Sequence, residues 1–504
     1  MKNYLTAAVV LLLVLVAAPW GIGMVAEQRV NSGLDQLVKI APYLSIVDRK
    51  WQRGWFTSEQ EVTFEVFGPW LRASNSGKQE TPADTPVDEV AAAGSPVVAA
   101  GETPPAESPP ADSAVQPAAA VISPVKFTVR NHIVHGPVLW LSGLGIARVD
   151  SHVVVPETIR AELVKLFGEE SPVAVSTRVR FFGGGTTTIS GDARDFEMPG
   201  KGQAVSYDAF KLKLGYSAHL DDVEVDGGWP RLEFSDREKG GSVLLEDAVV
   251  SGVSHRVRGD LYDGDFDLSV AKVRMVGLNK QVTEVAGLHY VVDTTIDDDF
   301  MDVALKIGSG AVKAKELEEL GVSLKEVHYD FTVRRLHVET LVKLLSEMKA
   351  SYSRPVPTAA AVEAAMMQPM REAGLELLKH DPEWVIDRVG VATPEGDAYI
   401  KGIIKLKGVT GQDFSAGAMG MLGKIEADIT IEVAQKLVEK MPNGLSSVAT
   451  VIDQGYAKRE RDQIVSHLEY NKGVLKINGK EQGIPGLGPP KVGFESEPTP
   501  PQPE

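Results

Sequence analysis

The chain opens with an apolar run, and this run constrains the rest of the protein more than any other feature. Residues 4–25 carry no charged side chain and follow Lys2 and Asn3. A helix rises about 1.5 Å per residue, so a run of this length reaches across the ~30 Å hydrocarbon core of a bilayer. We therefore predict a transmembrane signal-anchor over residues 1–26. Lys2 and the terminal amine favour a cytoplasmic N-terminus and a periplasmic body.

A cleaved signal peptide is the alternative interpretation of the same run. Residues 5–18 have the length of a signal-peptide core. Cleavage could occur after the small residues Ala17 and Ala18, or after Ala26. The apolar character nevertheless continues to Val25. Spanning length distinguishes an anchor from a signal peptide, so the retained anchor is favoured.

Composition excludes several classes of function. The chain has 504 residues, a formal net charge of −17 and no cysteine. An acidic chain is a poor nucleic-acid partner, because phosphate binding needs a basic face. Without cysteine there are no disulfides, thiolate metal sites or cysteine nucleophiles.

Hydrophobic periodicity predicts an α+β fold. A period of two dominates residues 125–333, and its strands follow one another with turns between them, including one at residues 226–230. This pattern predicts an antiparallel β meander. Helical spacing predicts helices at residues 27–43, 156–167, 335–350, 359–378, 433–441 and 446–464. Hairpins are predicted at residues 384–406 and 467–477, so the C-terminal part is α+β.

The same patterns divide the chain into six segments. Residues 73–124 contain many prolines, alanines and acidic residues and no aromatic residue, so we predict a disordered insertion there. The predicted segments are an anchor (1–26), a helix with the first strands (27–72), the insertion (73–124), a β-rich body (125–333), an α+β part (334–483) and a disordered Pro-rich tail (484–504).

Two local motifs stand out as candidates for structural or partner contacts. Arg53, Gly54, Trp55 and Phe56 form a turn with two aromatic residues near the membrane. Either the rings contact lipid headgroups or a partner, or they pack into the first strand layer, and we favour packing. The second motif comprises His135, Gly136 and Pro137, in which we expect His135 to fix a turn.

No catalytic or metal constellation is predicted. His132 and His135 are three residues apart, so on a strand they point to opposite faces and do not share an ion. The acidic residues at 297–302 lack the spacing of an EF-hand and are expected to form a solvated turn. The chain has neither a Gly-x-Ser-x-Gly elbow nor a Walker motif. We predict no cofactor.

Three separated stretches carry a family resemblance. They are the anchor followed by residues 51–58, residues 131–137, and a C-terminal series at 380–382, 396–400 and 468–479. In these stretches the chain resembles the YdgA family of bacterial envelope proteins, whose function is not established. The resemblance implies a single-pass inner-membrane protein with a periplasmic body, and it supplies no substrate.

Three hypotheses of function follow. The first is a non-enzymatic envelope protein whose β-rich body binds an apolar ligand such as lipid, or an envelope protein partner. The second is a structural scaffold that forms a homodimer through sheet edges or C-terminal helices. The third is an enzyme whose site is assembled from scattered residues and is not visible in the sequence.

Overall fold

One antiparallel sheet organises the chain in the structure, a computed structural model. It describes residues 2–68, 125–139, 143–154, 172–197, 202–353 and 359–483, with side chains except those of 2–20, 353, 359–366 and 418. The described strands, all in one sheet, are β1 (Leu44–Arg53), β2 (Thr57–Val66), β3 (Val125–His135), β4 (Ala147–Val154), β5 (Ala174–Val179), β6 (Gly185–Gly191), β7 (Arg194–Glu197), β8 (Gln203–Tyr207), β9 (Phe210–Tyr216), β10 (Asp222–Asp236), β11 (Gly241–Arg258), β12 (Leu261–Val276), β13 (Val282–Asp297), β14 (Phe300–Ser309), β15 (Val312–Lys313), β16 (Glu326–His337), β17 (Glu383–Thr393), β18 (Gly396–Leu406), β19 (Ile425–Ala434), β20 (Lys458–Glu460), β21 (Gln463–Asn471), β22 (Val474–Ile477) and β23 (Lys480–Gln482).

Helices occupy the N-terminus and the second half of the described chain. They are α1 (Lys2–Ile40), α2 (Lys315–Glu319), α3 (Val338–Ser353), α4 (Ala359–Leu378), α5 (Gly411–Ser415), α6 (Gly417–Leu422), α7 (Gln435–Lys440) and α8 (Gly444–Asp453). The helices α3 and α4 form a hairpin between β16 and β17. The fold is therefore mostly antiparallel sheet with a few helices, as the alternating pattern predicted.

The strands pair as a meander. The main pairing order is β1 to β6, then β9 to β14, then β16 to β19, and finally β21 to β23. The short strands β7, β8, β15 and β20 pair beside it. Every pairing is antiparallel, and consecutive strands are joined mainly by turns.

Helix α1 joins the apolar run to the sheet. We predicted a separate helix at residues 27–43, but one helix runs from Lys2 to Ile40. Its second half packs on the first strands, where Ala26 is buried against Ile133, Val149 and Val179. The helix also touches the β9–β10 turn, because the Gln36 amide lies 3.5 Å from the Ala218 carbonyl oxygen. Since five strands separate β1 from β9 in the pairing order, the sheet curls round α1.

Among the residues that the structure describes, no helix is long and apolar enough to span a membrane. The predicted anchor over residues 1–26 falls largely on residues 1–20, whose side chains lie outside the description. The predicted helix at 156–167, the insertion at 73–124 and the tail at 484–504 also lie outside the described residues, and these remain predictions.

Two further sequence predictions were wrong. The residues 226–230, predicted as a turn, lie inside β10. The helix predicted at 446–464 ends at Asp453, because Gly455 adopts a positive φ of 77° and the chain then enters β20 and β21. A smaller difference is that the helix predicted from residue 335 begins at Val338, because residues 335–337 complete β16.

Candidate functional site

Two rows of uncharged side chains cross the sheet perpendicular to its strands, and we call them the uncharged belt. Residues directly opposite each other in antiparallel strands lie on the same face. The first row is Ile133, Val149, Thr177, Thr187, Leu214, Val225, Gly252, Phe266, Val292, Leu305, Phe331, Ile386, Gly402, Ile429, Leu468 and Ile477. The second is Asn131, Ser151, Val175, Ile189, Leu212, Gly227, Val250, Leu268, Tyr290, Ile307, Tyr329, Val389, Ile400, Ile431 and Ser466.

The belt is long. It runs from β3 to β22, and neighbouring strands lie about 4.8 Å apart, which gives roughly 70 Å along the curled sheet. Neither row contains a charged residue over this length. The two rows therefore form a continuous, mostly apolar path.

The opposite face of the same strands is charged. The row beside the belt on that face reads Glu59, His132, Asp150, Ser176, Thr188, Lys213, Asp226, Ser251, Asp267, Val291, Lys306, Asp330 and Arg388. Cross-strand ion pairs occur there, such as Lys213 with Asp226 at 3.8 Å. One face of the sheet is thus suited to water and the other to apolar contacts.

The belt is covered at one end and open further along. Helix α1 covers its first strands, where Ile133 is fully buried. Beyond β6 the larger side chains of the belt reach solvent, and Tyr329 is 51% exposed. The exposed members are Leu214, Phe266, Leu268, Tyr290 and Tyr329. The open section is therefore an accessible apolar surface.

Helix α3 packs beside the open section. Val338 is buried against Leu261 and Met301, and Val303 packs on the same cluster. Val303 lies two residues from Leu305 along β14, on the belt face. Near the C-terminus of α3, the ring of Tyr352 contacts the ring of Phe67 at a centroid distance of 6.2 Å. Helix α3 thus spans from the middle strands to the end of β2.

His135 lies beneath α1 and holds the β1–β2 turn. Its Nε2 lies 2.9 Å from the Ser58 hydroxyl, and its Nδ1 lies 3.2 Å from the Trp55 carbonyl oxygen. These partners fit a neutral ring that donates from Nδ1 and accepts from Ser58. Gly23 of α1 makes room for the ring, because a Cβ there would lie 2.5 Å from it.

The other residues of the two sequence motifs are placed as follows. The strand β3 ends at His135, and Gly136 and Pro137 begin the β3–β4 connection, joined by a cis peptide bond. His132 points to the opposite face, as expected from its spacing, and contacts Glu59.

The Arg53 turn joins β1 to β2 beside α1. Gly54 lies in the turn, and Arg53 pairs with Glu27 of α1. Trp55 and Phe56 are each about half exposed, at 49% and 54%, so neither ring is fully buried, and their packing into the first strand layer stays a prediction.

A buried polar chain under α1 was not found from the sequence. Gln60 donates to Asn31 of α1 at 2.9 Å and accepts from Asn131 at 2.8 Å. Asn31 lies between Glu27, which pairs with Arg53, and Asp35, which pairs with Arg49. These three α1 residues are four positions apart and therefore lie on one side of the helix. In the sequence, the polar residues at positions 27, 31 and 35 were the signal from which this contact of α1 could have been predicted. They fix the register of α1 on β1 and β2.

Two histidine rings stack at the base of the α3–α4 hairpin. His337 precedes α3 and His380 follows α4, and their ring centroids are 3.7 Å apart with an interplanar angle of 6°. The Arg335 guanidinium lies over the adjacent Phe300 ring, 4.4 Å from its centroid. Burial lowers the pKa of His380, and the neighbouring His337 lowers it further.

A group with metal-ligand chemistry lies on the charged face. The ligand atoms of Asp428, His467 and Glu469 all lie within 4.8 Å of one another. His467 Nε2 is 2.9 Å from Asp428, and both carboxylates are largely exposed. This geometry is that of a surface ion-pair group, so we assign it no catalytic role.

Comparisons with known proteins identify a family and no closer relative. A family model described as "Bacterial protein of unknown function (DUF945)" matches residues 1–484. This match confirms the family resemblance drawn from the three sequence stretches. Neither the curated proteins nor the solved structures give a match.

Proposed function

The chain belongs to the DUF945 family of bacterial proteins of unknown function, and from that premise we propose that it is an envelope protein that binds lipid acyl chains along its uncharged belt. In this proposal it is non-enzymatic, is held in the inner membrane by residues 1–26, and carries its body in the periplasm. The observation that carries the proposal is the unbroken belt, open from β9 onward and free of charge throughout.

The chemistry of the belt fits an alkyl chain. Burying apolar surface is favourable by about 25 cal/mol per Å² and has no directional requirement. A path of mostly apolar side chains therefore suits a long, featureless ligand better than a compact polar one. Its length of roughly 70 Å along the sheet accommodates acyl chains lying across the strands.

The position of α1 supports attachment to the bilayer. Along α1, the residues nearer the N-terminus contact strand positions nearer the β1–β2 turn, since Asp35 meets Arg49 and Glu27 meets Arg53. The helix continues past that turn to Lys2. At about 1.5 Å per residue, the part before Ile22 extends roughly 30 Å, which equals the thickness of the hydrocarbon core.

The edge strand β1 disfavours one form of the scaffold alternative, a homodimer that pairs through this edge. In the described chain β1 is an edge of the sheet, and it carries Asp48, Arg49, Lys50 and Arg53. Charges on an edge strand oppose edge-to-edge pairing with another copy. We therefore rank lipid binding above a homodimer formed through this edge.

A pair of adjacent substitutions tests the proposal. Leu268 lies on the belt and Ser269 points to the opposite face of the same strand. Leu268→Glu places a carboxylate beside the acyl chain at a cost of up to about 3 kcal/mol, which is about a hundredfold in affinity. Ser269→Glu adds the same charge on the solvated face.

The measurement is the phospholipid that co-purifies with the full chain in mild detergent, counted by native mass spectrometry. The wild type and Ser269→Glu should carry bound phospholipid, and Leu268→Glu should lose most of it. Equal lipid content in all three proteins, or none in the wild type, would remove the belt as a lipid site. Circular dichroism checks that both variants are folded.

A further inference from the structure

The apolar turns that surround α1 form a surface with no role in the belt. We propose that this surface docks on the bilayer, so that the connections β1–β2, β3–β4 and β5–β6 rest in the headgroup region of the membrane that holds α1. The inference rests on the proposed anchor and adds a second, lipid-facing contact made by the body.

Three connections at one end of the sheet carry exposed apolar side chains. They join β1 to β2, β3 to β4, and β5 to β6, and all lie at the same end because each strand reverses the direction of the last. Their exposed residues are Trp55, Phe56, Val138, Leu144, Phe181 and Phe182. Phe182 is 96% exposed and Leu144 is 68% exposed. Exposed apolar clusters of this kind mark interaction sites.

These connections flank α1 where the helix leaves the sheet. Arg53, before the first turn, pairs with Glu27. His135, before the second connection, packs against Gly23, and a Cβ at Gly183 in the third would lie 3.5 Å from the Arg29 guanidinium. The three connections therefore surround residues 23–29 of the helix, at the level from which its N-terminal half continues outward.

The charges of these three connections suit an anionic lipid surface. The chain has a net charge of −17, yet residues 54–57, 136–146 and 180–184 contain no acidic residue. Arg180 lies in the third connection and Arg178 just before it, while Arg29 lies beside Gly183. Basic side chains near an anionic leaflet each contribute about 1 kcal/mol of attraction. Aromatic residues are also enriched at headgroup depth.

Later connections at the same end have the opposite character. The β11–β12 turn is Gly259 and Asp260, and the β13–β14 turn is Asp298 and Asp299. These turns lie further from α1 in the pairing order. Apolar and basic turns flank residues 23–29 of the helix, whereas the β9–β10 turn, which carries Asp221, touches the helix further along at Gln36. The acidic β11–β12 and β13–β14 turns lie beyond it in the pairing order, which matches a body that meets the bilayer where α1 leaves the sheet and turns away from it beyond.

A depth measurement with nitroxide labels tests the surface. The chain has no cysteine, so one cysteine introduced by Phe182→Cys, or by Asp298→Cys as the matched control turn, takes a single label. The full chain is reconstituted in vesicles of phosphatidylethanolamine and phosphatidylglycerol. Power saturation then compares collisions of each label with oxygen, which concentrates in the bilayer, and with a water-soluble nickel chelate.

We expect the label at residue 182 to show a several-fold higher ratio of oxygen to nickel collisions than the label at residue 298. Equal, water-like ratios at both positions in vesicle-bound protein would overturn the docking surface while leaving the anchor intact. If the label at residue 182 is shielded from the nickel chelate in native membranes but not in pure lipid vesicles, the docking surface would also be overturned, in favour of a protein partner. If the full chain does not stay with the vesicles, the proposed anchor itself fails.

Discussion

Replacing Ile133 with alanine should loosen α1 from the sheet. Ile133 is fully buried in the cluster that includes Ala26, Val149 and Val179, with Ile22 and Val30 packed against it. The substitution removes about three carbon atoms, worth roughly 2.4 kcal/mol of transfer free energy at about 0.8 kcal/mol each. The cavity left between a helix and a sheet adds to this loss, so we expect about 3–4 kcal/mol in all.

The assay is denaturant unfolding of the full chain in detergent, followed by circular dichroism, with hydrogen exchange of the α1 amides as a local readout. Ile133→Val should cost about 0.5–1.5 kcal/mol and serves as the intermediate step. Val153→Ala is the control, because Val153 lies on the neighbouring strand but is 57% exposed, and it should cost less than about 0.5 kcal/mol.

The hydrogen-exchange pattern separates a local effect from a global one. Faster exchange in residues 22–34 before any change in β9–β14 would place the loss at the α1 contact. A cost below about 1 kcal/mol for Ile133→Ala, or a cost equal to that of Val153→Ala, would show that α1 does not pack on β3 as described.

Two further predictions concern the α3–α4 hairpin and the insertion. The lowered pKa of His380 means that the folded chain binds its proton less readily than the unfolded one. Its stabilising contribution is therefore full above the ordinary value of 6.5 and is lost as the pH falls below it. His380→Phe keeps a ring for the stack, so its melting temperature should fall less than that of the wild type between pH 7.5 and 5.5, and equal falls would refute this role. Replacing residues 73–124 with a short Gly/Ser bridge should leave the melting temperature within a few degrees, because loop-closure entropy grows only logarithmically with length; a larger drop would mean that the segment packs.

Local pattern predicted most of the elements. Alternation over residues 125–135 and 326–333 reflects strands with one apolar face, and β3 and β16 lie there. Residues 226–230 misled because Gly227 and Gly228 suggest a turn. In the structure a Cβ at Gly227 would lie 2.5 Å from the Lys211 carbonyl oxygen, so this glycine serves close strand packing. Turns and the close approach of two strands both favour glycine, so the sequence alone does not distinguish them.

The candidate site was less accessible to sequence reasoning. The belt arises because Leu214, Val225 and Phe266 fall in one row, and that row depends on the register of each successive strand pair. Alternation within a strand predicts that a face is apolar, but it does not say which faces join. The degree to which Trp55 and Phe56 are exposed was also not predictable, because the sequence does not reveal what covers a turn.

The most direct test of lipid binding along the belt is site-specific photo-crosslinking in living cells. A benzophenone amino acid is placed in turn at residues 265–269 of β12 and 290–293 of β13, and crosslinking to labelled phospholipid is measured. We predict crosslinks with a period of two, at Phe266, Leu268, Tyr290 and Val292, with little signal at the residues between them. Signal without this alternation, or none on these strands, would contradict the proposal that the belt binds lipid.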